Sequence, residues 1–134
     1  MDKLEYKIGN IEIDKEKLEF FGKDPSESKH KFLVVGQGTG LIAYMGPKGH
    51  VKIVKQNKIE SVRVLGGGSV YLNKNGDLVL DHLSYIYGAV PDKVACEFAK
   101  LIQKELKKSG LKIKKTIVKP KGDLNERWLL YGFD

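Results

Sequence analysis

Cysteine and long apolar runs are scarce in this sequence of 134 residues, and each scarcity excludes a class of protein. The one cysteine, Cys96, rules out an internal disulfide and a cysteine cage for a metal, and it favours a reducing compartment. No apolar run approaches the roughly 20 residues that a membrane helix needs, and the first residues form no signal-peptide core. These absences predict a soluble cytoplasmic protein without a membrane partner.

The residues that are present fit a globular protein. Hydrophobic residues make up 41% of the chain and aromatic residues 9%, which argues against disorder. A chain of this length forms one domain around one core. We therefore expect a single domain over residues 1–134.

Acidic residues are almost missing from the middle third of the chain. The net charge is +7, and residues 29–76 contain eight basic residues against one acid, Glu60, whereas residues 1–28 contain five lysines against eight acids. A positive field of this kind favours an anionic partner such as a phosphorylated protein, a small phosphate compound or nucleic acid. The alternative is a lysine-rich surface that only faces solvent.

Apolar and alternating runs predict about eight short strands and one long helix. Asn75-Gly76 predicts a two-residue hairpin turn with Lys74 opposite Asp77. Pro91 suits the first turn of the helix, and Gly110 suits its end. The sequence shows no βαβ repeat, so the predicted class is α+β: a mixed, mostly antiparallel sheet with one long helix at about residues 91–108. The strands or lead-in segments are expected at residues 6–13, 17–21, 32–35, 41–45, 50–55, 59–65, 69–73, 77–83, 113–118 and 128–131.

Two glycine-bearing segments indicate a site for an anion. Gly66-Gly67-Gly68 predicts a turn whose backbone N–H groups approach an oxyanion, although a β-bulge would also explain it. Residues 84–88 lead toward the positive end of the long helix, where an anion is stabilised. A third segment, residues 36–40, resembles a dinucleotide loop, but no helix follows it and we reject that interpretation. It is left as a flexible rim over an anion site.

Histidine is the side chain best suited to proton transfer near neutral pH, and His50 is predicted to lie on the polar face of a strand within the basic third. The alternative is an ordinary surface histidine, and the same holds for His82, while His30 fits a loop. The three histidines lack the spacing of a metal site, so we expect no metal and no cofactor.

The run Leu65-Gly-Gly-Gly-Ser-Val, then a hairpin, then Ser84-Tyr-Ile-Tyr-Gly88 and a helix resembles the Janus/Ocnus family of small phosphohistidine phosphatases. The resemblance covers about residues 31–115 and leaves residues 1–28 and 116–134 as family-atypical extensions. It implies a phosphohistidine-phosphatase-like domain with a mixed sheet flanked by helices. It also implies metal-independent removal of phosphate from phosphohistidine in a protein, or from another phosphoramidate.

The resemblance also implies roles for individual residues. His50 takes the place of the catalytic base. The phosphate-binding residues would be Lys31, the hydroxyl of Ser84 and the backbone N–H of Ile86, joined on the chemical argument above by Gly67, Gly68 and the neighbouring Ser69.

The sequence departs from the family at three places. Ser69 stands where the family has an arginine that grips phosphate on two sides, and Asp92 stands near the place of a family histidine. The short segment after His50 predicts a hairpin where the family has its first helix. The phosphate grip then passes to auxiliary residues, and the alternative function is an inactive relative that binds phosphorylated or other anionic partners, including nucleic acid. The auxiliary candidates are Lys48, Lys52, Arg63 and His82.

Overall fold

Seven strands form one mixed sheet in the computed structural model, which describes residues 4–19, 30–82, 84, 87–119 and 131–133. Their order across the sheet is β1-β3-β2-β4-β5-β6-β7. The pairs β1–β3 and β5–β6 are parallel, and the other four pairs are antiparallel. The strands are β1 (Glu5–Ile11), β2 (His30–Gln37), β3 (Gly40–Gly46), β4 (Val64–Leu72), β5 (Leu78–Asp81), β6 (Thr116–Lys119) and β7 (Tyr131–Phe133).

Three α-helices connect these strands: α1 (Lys15–Leu18), α2 (His50–Gln56) and α3 (Asp92–Lys108). The long helix α3 was predicted correctly, including its end, where Gly110 adopts φ +90° and its N–H donates to the carbonyl of Lys107. It connects the parallel strands β5 and β6, so the chain contains one βαβ unit where the sequence analysis expected none. The α+β class, the mixed and mostly antiparallel sheet and the single long helix are confirmed.

One face of the sheet packs against α3 and forms the main core. Phe98 and Ile102 of α3 are fully buried in one cluster with Phe32, Val70 and Leu80 of the sheet. The ring of Phe98 also meets Tyr6 of β1 edge-on, with ring centres 5.3 Å apart. Burial of a large apolar side chain contributes about 1.5–3 kcal/mol, so this face supplies most of the hydrophobic stabilisation.

The opposite face carries α2 and a smaller apolar cluster. Helix α2 lies against β2 and β3, with Ile53 buried, while Tyr71, Val79 and Ile117 form a separate cluster further across the sheet. Because side chains alternate along a strand, Lys31 and Ser69 project to this same face. We call it the α2 face, and the other the α3 face.

The predicted strand at residues 50–55 is wrong, because this segment is helix α2. Gly49 adopts φ +90° before the helix, and its carbonyl accepts from the N–H of Ile53 at 3.2 Å. A run this short fits the period of a strand and also that of a helix. A strand, however, would have buried Val51 and Ile53 together on one face. Instead Val51 is 50% exposed and Ile53 is 2% exposed. The expected hairpin in place of the family's first helix is therefore also wrong.

The predicted strand at residues 59–65 is mostly wrong. A 3-10 helix occupies Ser61–Arg63, and β4 begins only at Val64. Val62, expected to lie on an apolar face with Val64, is 91% exposed. The alternation of valines here reflects two different elements rather than one strand.

The β4–β5 hairpin exists, but its turn is longer than predicted. Asn73 donates its N–H to the carbonyl of Asp77, and Gly76 donates to the carbonyl of Asn73 with φ +82° at Gly76. Asn73 therefore lies opposite Asp77, and the predicted pair of Lys74 with Asp77 is wrong. The side chain of Asn73 explains the difference, because its oxygen accepts from the N–H groups of Asn75 and Asp77 and holds the wider loop.

The remaining differences are local. Asp14 accepts from the N–H of Lys17 at 3.4 Å and starts the short helix α1, where the sequence suggested a strand or lead-in. Residues 36–40 form the β2–β3 hairpin, with φ +60° at Gly38, so no helix follows them. The predicted loop at residues 22–29 and most of the predicted strand at residues 128–131 lie outside the described residues.

Candidate functional site

The predicted site residues come from three elements of the fold. Lys31 lies near the start of β2, Ser69 lies in β4, and His50 is the first residue of α2. Ser84 lies in the loop after β5, whereas Ile86 lies outside the described residues. The structure brings His50, Lys31, Ser69 and the triple glycine together on the α2 face.

His50 is held above the triple glycine by a hydrogen bond. Its Nε2 lies 3.2 Å from the carbonyl oxygen of Gly68. A carbonyl can only accept, so Nε2 carries the proton and, in the neutral ring, the lone pair lies on Nδ1. The ring also meets that of Tyr87 edge-on, with centres 5.8 Å apart. These contacts fix the tautomer and orientation of an imidazole that has one basic nitrogen.

The surroundings of His50 lower its pKa. Burial is the main cause, the charge of Lys31 adds to it, and the carbonyls of Gly68 and Phe32 oppose it. The imidazole is therefore neutral at neutral pH, which is the state in which a histidine can accept a proton. The effect of Lys31 also shows that its ammonium group lies within electrostatic range of the ring.

Lys31 and Ser69 form a polar pair on adjacent strands. The two residues are register partners, and Lys31 Nζ donates to Ser69 Oγ at 2.8 Å. Ser69 is only 5% exposed, so its hydroxyl fixes the position of the lysine head group. The expected arginine is absent at position 69, but the residue found there orients a cation from the neighbouring strand.

The triple glycine lies inside β4, so the predicted turn at residues 66–68 is wrong. Added Cβ atoms would lie 2.9 Å from the carbonyl oxygen of Ala89 at Gly66, 2.5 Å from that of Phe32 at Gly67 and 1.7 Å from that of Asp81 at Gly68. Close packing of neighbouring backbone therefore requires these glycines, and at Gly67 an added Cβ would also lie 3.1 Å from His50 Nε2.

The N–H of Gly67 has a partner within the protein. It donates to the carbonyl of Gly88 at 3.2 Å, and that carbonyl also accepts from the N–H of Ser84 at 3.2 Å. Gly68 pairs with Phe32 in the sheet. The two amides expected to hold phosphate thus take part in the packing of β4, and the glycines act by allowing the loop and His50 to approach.

The loop from Ser84 to Gly88 is closed by its own hydrogen bonds. The N–H of Gly88 donates to the carbonyl of Ser84 at 2.9 Å, and the N–H of Tyr87 donates to Ser84 Oγ at 3.1 Å. Gly88 adopts φ +84°, which allows this return. Tyr87, which was not predicted as a neighbour of His50, is the residue of this loop whose ring contacts the imidazole.

His82 belongs to a different part of the structure. It is 1% exposed, its Nδ1 donates to the carbonyl of Val90 at 2.5 Å, and its Nε2 lies 2.9 Å from Asp92 Oδ1. These contacts tie the end of β5 to the start of α3. These contacts give His82 a structural role with Asp92 as its neighbour, and its auxiliary role at the phosphate site stays a prediction.

The other auxiliary residues are spread around the site. Lys48 is exposed in the turn after β3, and Lys52 is exposed on α2. Arg63 pairs with Glu60 at 3.1 Å and lines a cavity of about 220 Å³ together with Gly36 and other residues of β2 and β3. None of these three side chains forms a hydrogen bond or ring contact with His50 among the described residues.

Within the described ranges, no group of three or more His, Cys, Asp or Glu side chains could hold a metal ion. Tyr71 would have to lie at the surface to stack on RNA bases. Instead it is 6% exposed, and its burial raises its pKa to about 12. Tyr85, which also lies near the basic middle third in sequence, is outside the described residues.

Comparisons with protein-family models, with curated proteins and with solved structures gave no match to this chain. No helix among the described residues is long and apolar enough to cross a membrane. The functional interpretation therefore rests on the geometry around His50.

Proposed function

We propose that this protein removes phosphate from phosphohistidine, or from another phosphoramidate, with His50 as the general base. The observation that carries the proposal is the bond from His50 Nε2 to the carbonyl of Gly68, which leaves Nδ1 as the basic nitrogen of a neutral ring. A base within reach of the attacking water is the group that this reaction requires.

The chemistry suits a site of this simplicity. The P–N bond of a phosphoramidate is labile once its nitrogen is protonated, so the protein need only supply a base and a cation. Water attacks phosphorus, and His50 Nδ1 takes a proton from that water. The P–N bond breaks as the substrate nitrogen, protonated beforehand from solvent, leaves with the bonding electron pair, and His50 then returns its proton to solvent. Lys31 would face the negative phosphoryl oxygens, while Ser69 Oγ holds its ammonium group.

Substitution of His50 tests this proposal. We expect phosphate release from a phosphohistidine peptide to fall by about 10²–10⁴-fold in His50→Ala, the usual contribution of a general base. Lys55→Met is the matched control, because Lys55 is exposed on the same helix and has no proposed role. Equal rates for His50→Ala and the control would contradict the proposal.

The pH dependence gives a second test. The lowered pKa of His50 predicts that kcat/KM rises with pH along a limb that lies below the ordinary histidine value of 6.5. A limb at or above that value would point to a different base.

The alternative function is binding of a phosphorylated or otherwise anionic partner without turnover. The observations that favour it are Ser69 in place of an arginine beside Lys31, and the excess of eight basic residues over one acid in residues 29–76. Titration calorimetry with the phosphohistidine peptide distinguishes the two functions. Saturable binding without release of phosphate would support the alternative, and an affinity that ignores salt would exclude its nucleic-acid version.

A further inference from the structure

We infer that a shallow depression at the carboxyl end of α3 binds an acidic peptide segment that carries apolar side chains. The depression has a volume of about 550 Å³ and is lined by Gly76, Lys107, Leu111, Lys112, Ile113 and Lys114. We call it the lysine depression. It lies beside the first residues of β5 and β6, whereas the loop around Ser84 follows the other end of β5, so it is separate from the His50 site.

The walls of the lysine depression are fixed by backbone hydrogen bonds. The N–H of Lys114 donates to the carbonyl of Gly76 at 3.1 Å, which joins the segment after α3 to the β4–β5 turn. The N–H of Leu111 donates to the carbonyl of Leu106 at 3.2 Å and fixes the end of the helix. A preformed surface of this kind loses little entropy when a partner binds.

The rim is strongly positive. Residues 106–122 contain seven lysines and no acid. Lys108 pairs with Glu105 at 3.6 Å, but the ammonium groups of Lys107, Lys112 and Lys114 have no carboxylate within 4.0 Å in the described part of the chain. Three exposed cations around one concave surface favour carboxylates on the partner.

The floor of the lysine depression is apolar, so it favours an anionic partner that also carries apolar side chains. Leu111 is half-buried and Ile113 is 9% exposed, and the methylene stems of the surrounding lysines extend the apolar surface. A peptide that alternates acidic and apolar side chains satisfies both the rim and the floor.

Other anionic partners fit less well. The lining includes neither arginine nor an aromatic ring, so nucleic-acid bases would find no stacking surface. A membrane-binding surface presents protruding apolar side chains, whereas Leu111 and Ile113 are recessed below the lysines.

The experiment uses the full chain and a short fluorescein-labelled peptide rich in Glu with interspersed Leu, measured by fluorescence anisotropy. In Lys107→Glu/Lys114→Glu we expect the affinity to fall at least about tenfold, because two attractive contacts become repulsive. The control Lys15→Glu/Lys55→Glu changes the net charge equally at exposed residues elsewhere and should keep the affinity within about twofold of the original. A peptide with Gln in place of Glu should bind at least about tenfold more weakly.

Several outcomes would overturn the inference. Equal losses in the two double variants would show that only net charge matters. Tighter binding of a single-stranded oligonucleotide, or of phosphatidylserine vesicles, with the same dependence on Lys107 and Lys114, would assign the surface to that partner instead. If the double variant fails to fold, Lys107→Gln/Lys114→Gln replaces it, and amide shifts on peptide addition that avoid residues 107–114 would equally contradict the site.

Discussion

The two faces of the sheet differ in what their residues contribute. On the α3 face, side chains such as Phe32, Val70 and Leu80 join the helix in one continuous apolar core with almost no exposed surface. On the α2 face, the apolar cluster around Ile117 is small, and polar residues such as Lys31 and Ser69 project to the same face. The α3 face is an apolar core with a few buried polar residues such as His30 and Thr116, whereas the α2 face combines packing with partly exposed polar groups.

This difference shows why the candidate site lies where it does. A charged group such as Lys31 is costly to bury unless it has partners, so a fully packed core face excludes it. Among the described residues, the short helix α2 packs on this face, and Lys31 there keeps both partial exposure and a bond to Ser69. The stability of the fold and the chemistry of the site are thus assigned to opposite sides of the same strands.

The same substitution on the two faces should have unequal effects. Ile102→Ala on the α3 face should lower the free energy of unfolding toward the upper end of the about 2–5 kcal/mol typical of Ile→Ala, because Ile102 is fully buried in the large cluster. Ile117→Ala should lie toward the lower end, because its cluster is small and it is 7% exposed. Urea unfolding measures both changes. Equal losses, or a larger loss for Ile117→Ala, would contradict the assignment of the core to the α3 face.

Alanine substitutions at two glycines distinguish the effect of steric crowding around β4 from the effect of backbone conformational freedom. Gly68→Ala should destabilise the protein by about 1–3 kcal/mol, since the new Cβ meets the carbonyl oxygen of Asp81. Gly36→Ala in β2 is the matched control, because its nearest neighbour would be 3.8 Å away and its φ is not positive. It should be neutral or stabilising by up to about 1 kcal/mol. If thermal unfolding shows both variants equally stable, the packing explanation of the triple glycine is wrong.

The sequence correctly predicted those elements whose hydrophobic pattern is long enough to distinguish the period of a helix from that of a strand. Helix α3 has a start at Pro91, an apolar stripe over several turns and a stop at Gly110, and each of these signals agrees. Helix α2 is too short for such agreement, and its alternation fits a strand equally well. Its helical conformation depends on the positive φ of Gly49 and on the burial of Ile53 against the sheet. Neither can be read from the local hydrophobic pattern.

The sequence indicated several of the residues that lie near one another around His50, but it did not predict how they are arranged. His50, Lys31 and Ser69 do lie together, although the sequence placed His50 on a strand. The role of the triple glycine was not predictable, because the backbone atoms it approaches, such as those of Ala89 and Asp81, are distant in sequence. Tyr87 was missed as a neighbour of His50 because ring contacts across a loop leave no local pattern.

Acid should destabilise the protein through buried histidines on both faces. Burial lowers the pKa of His30 on the α3 face and of His50 on the α2 face below 6.5, their value in the unfolded chain. Below that pH the unfolded state binds more protons, so the free energy of unfolding should fall as the pH decreases from 6.5 through the folded values. At His30 the structural cause is visible, since its Nε2 accepts from the N–H of Asp14 at 3.1 Å and cannot do so once protonated.

Urea unfolding of two variants across this pH range measures how much of the pH dependence of stability comes from the histidine on each face. His30→Gln keeps an acceptor for Asp14 without titrating, and it should reduce the pH dependence. His50→Gln should reduce it separately, because the two rings lie on opposite faces of the sheet. A wild-type protein whose stability is flat between pH 6.5 and acid would contradict the burial of both rings.

The smallest expected effect tests the electrostatics of the α2 face alone. Lys31 is the second cause of the lowered pKa of His50, after burial, so Lys31→Met should raise that pKa toward 6.5 while the ring stays buried. An NMR titration of the imidazole protons measures the shift, with Lys55→Met as the control for a lysine on the same helix as His50. An unchanged pKa would mean that Lys31 does not act on the ring. A raised pKa would move the acid limb of any His50-dependent activity upward by the same amount, and it would show that the cation proposed to face phosphate also keeps the base neutral.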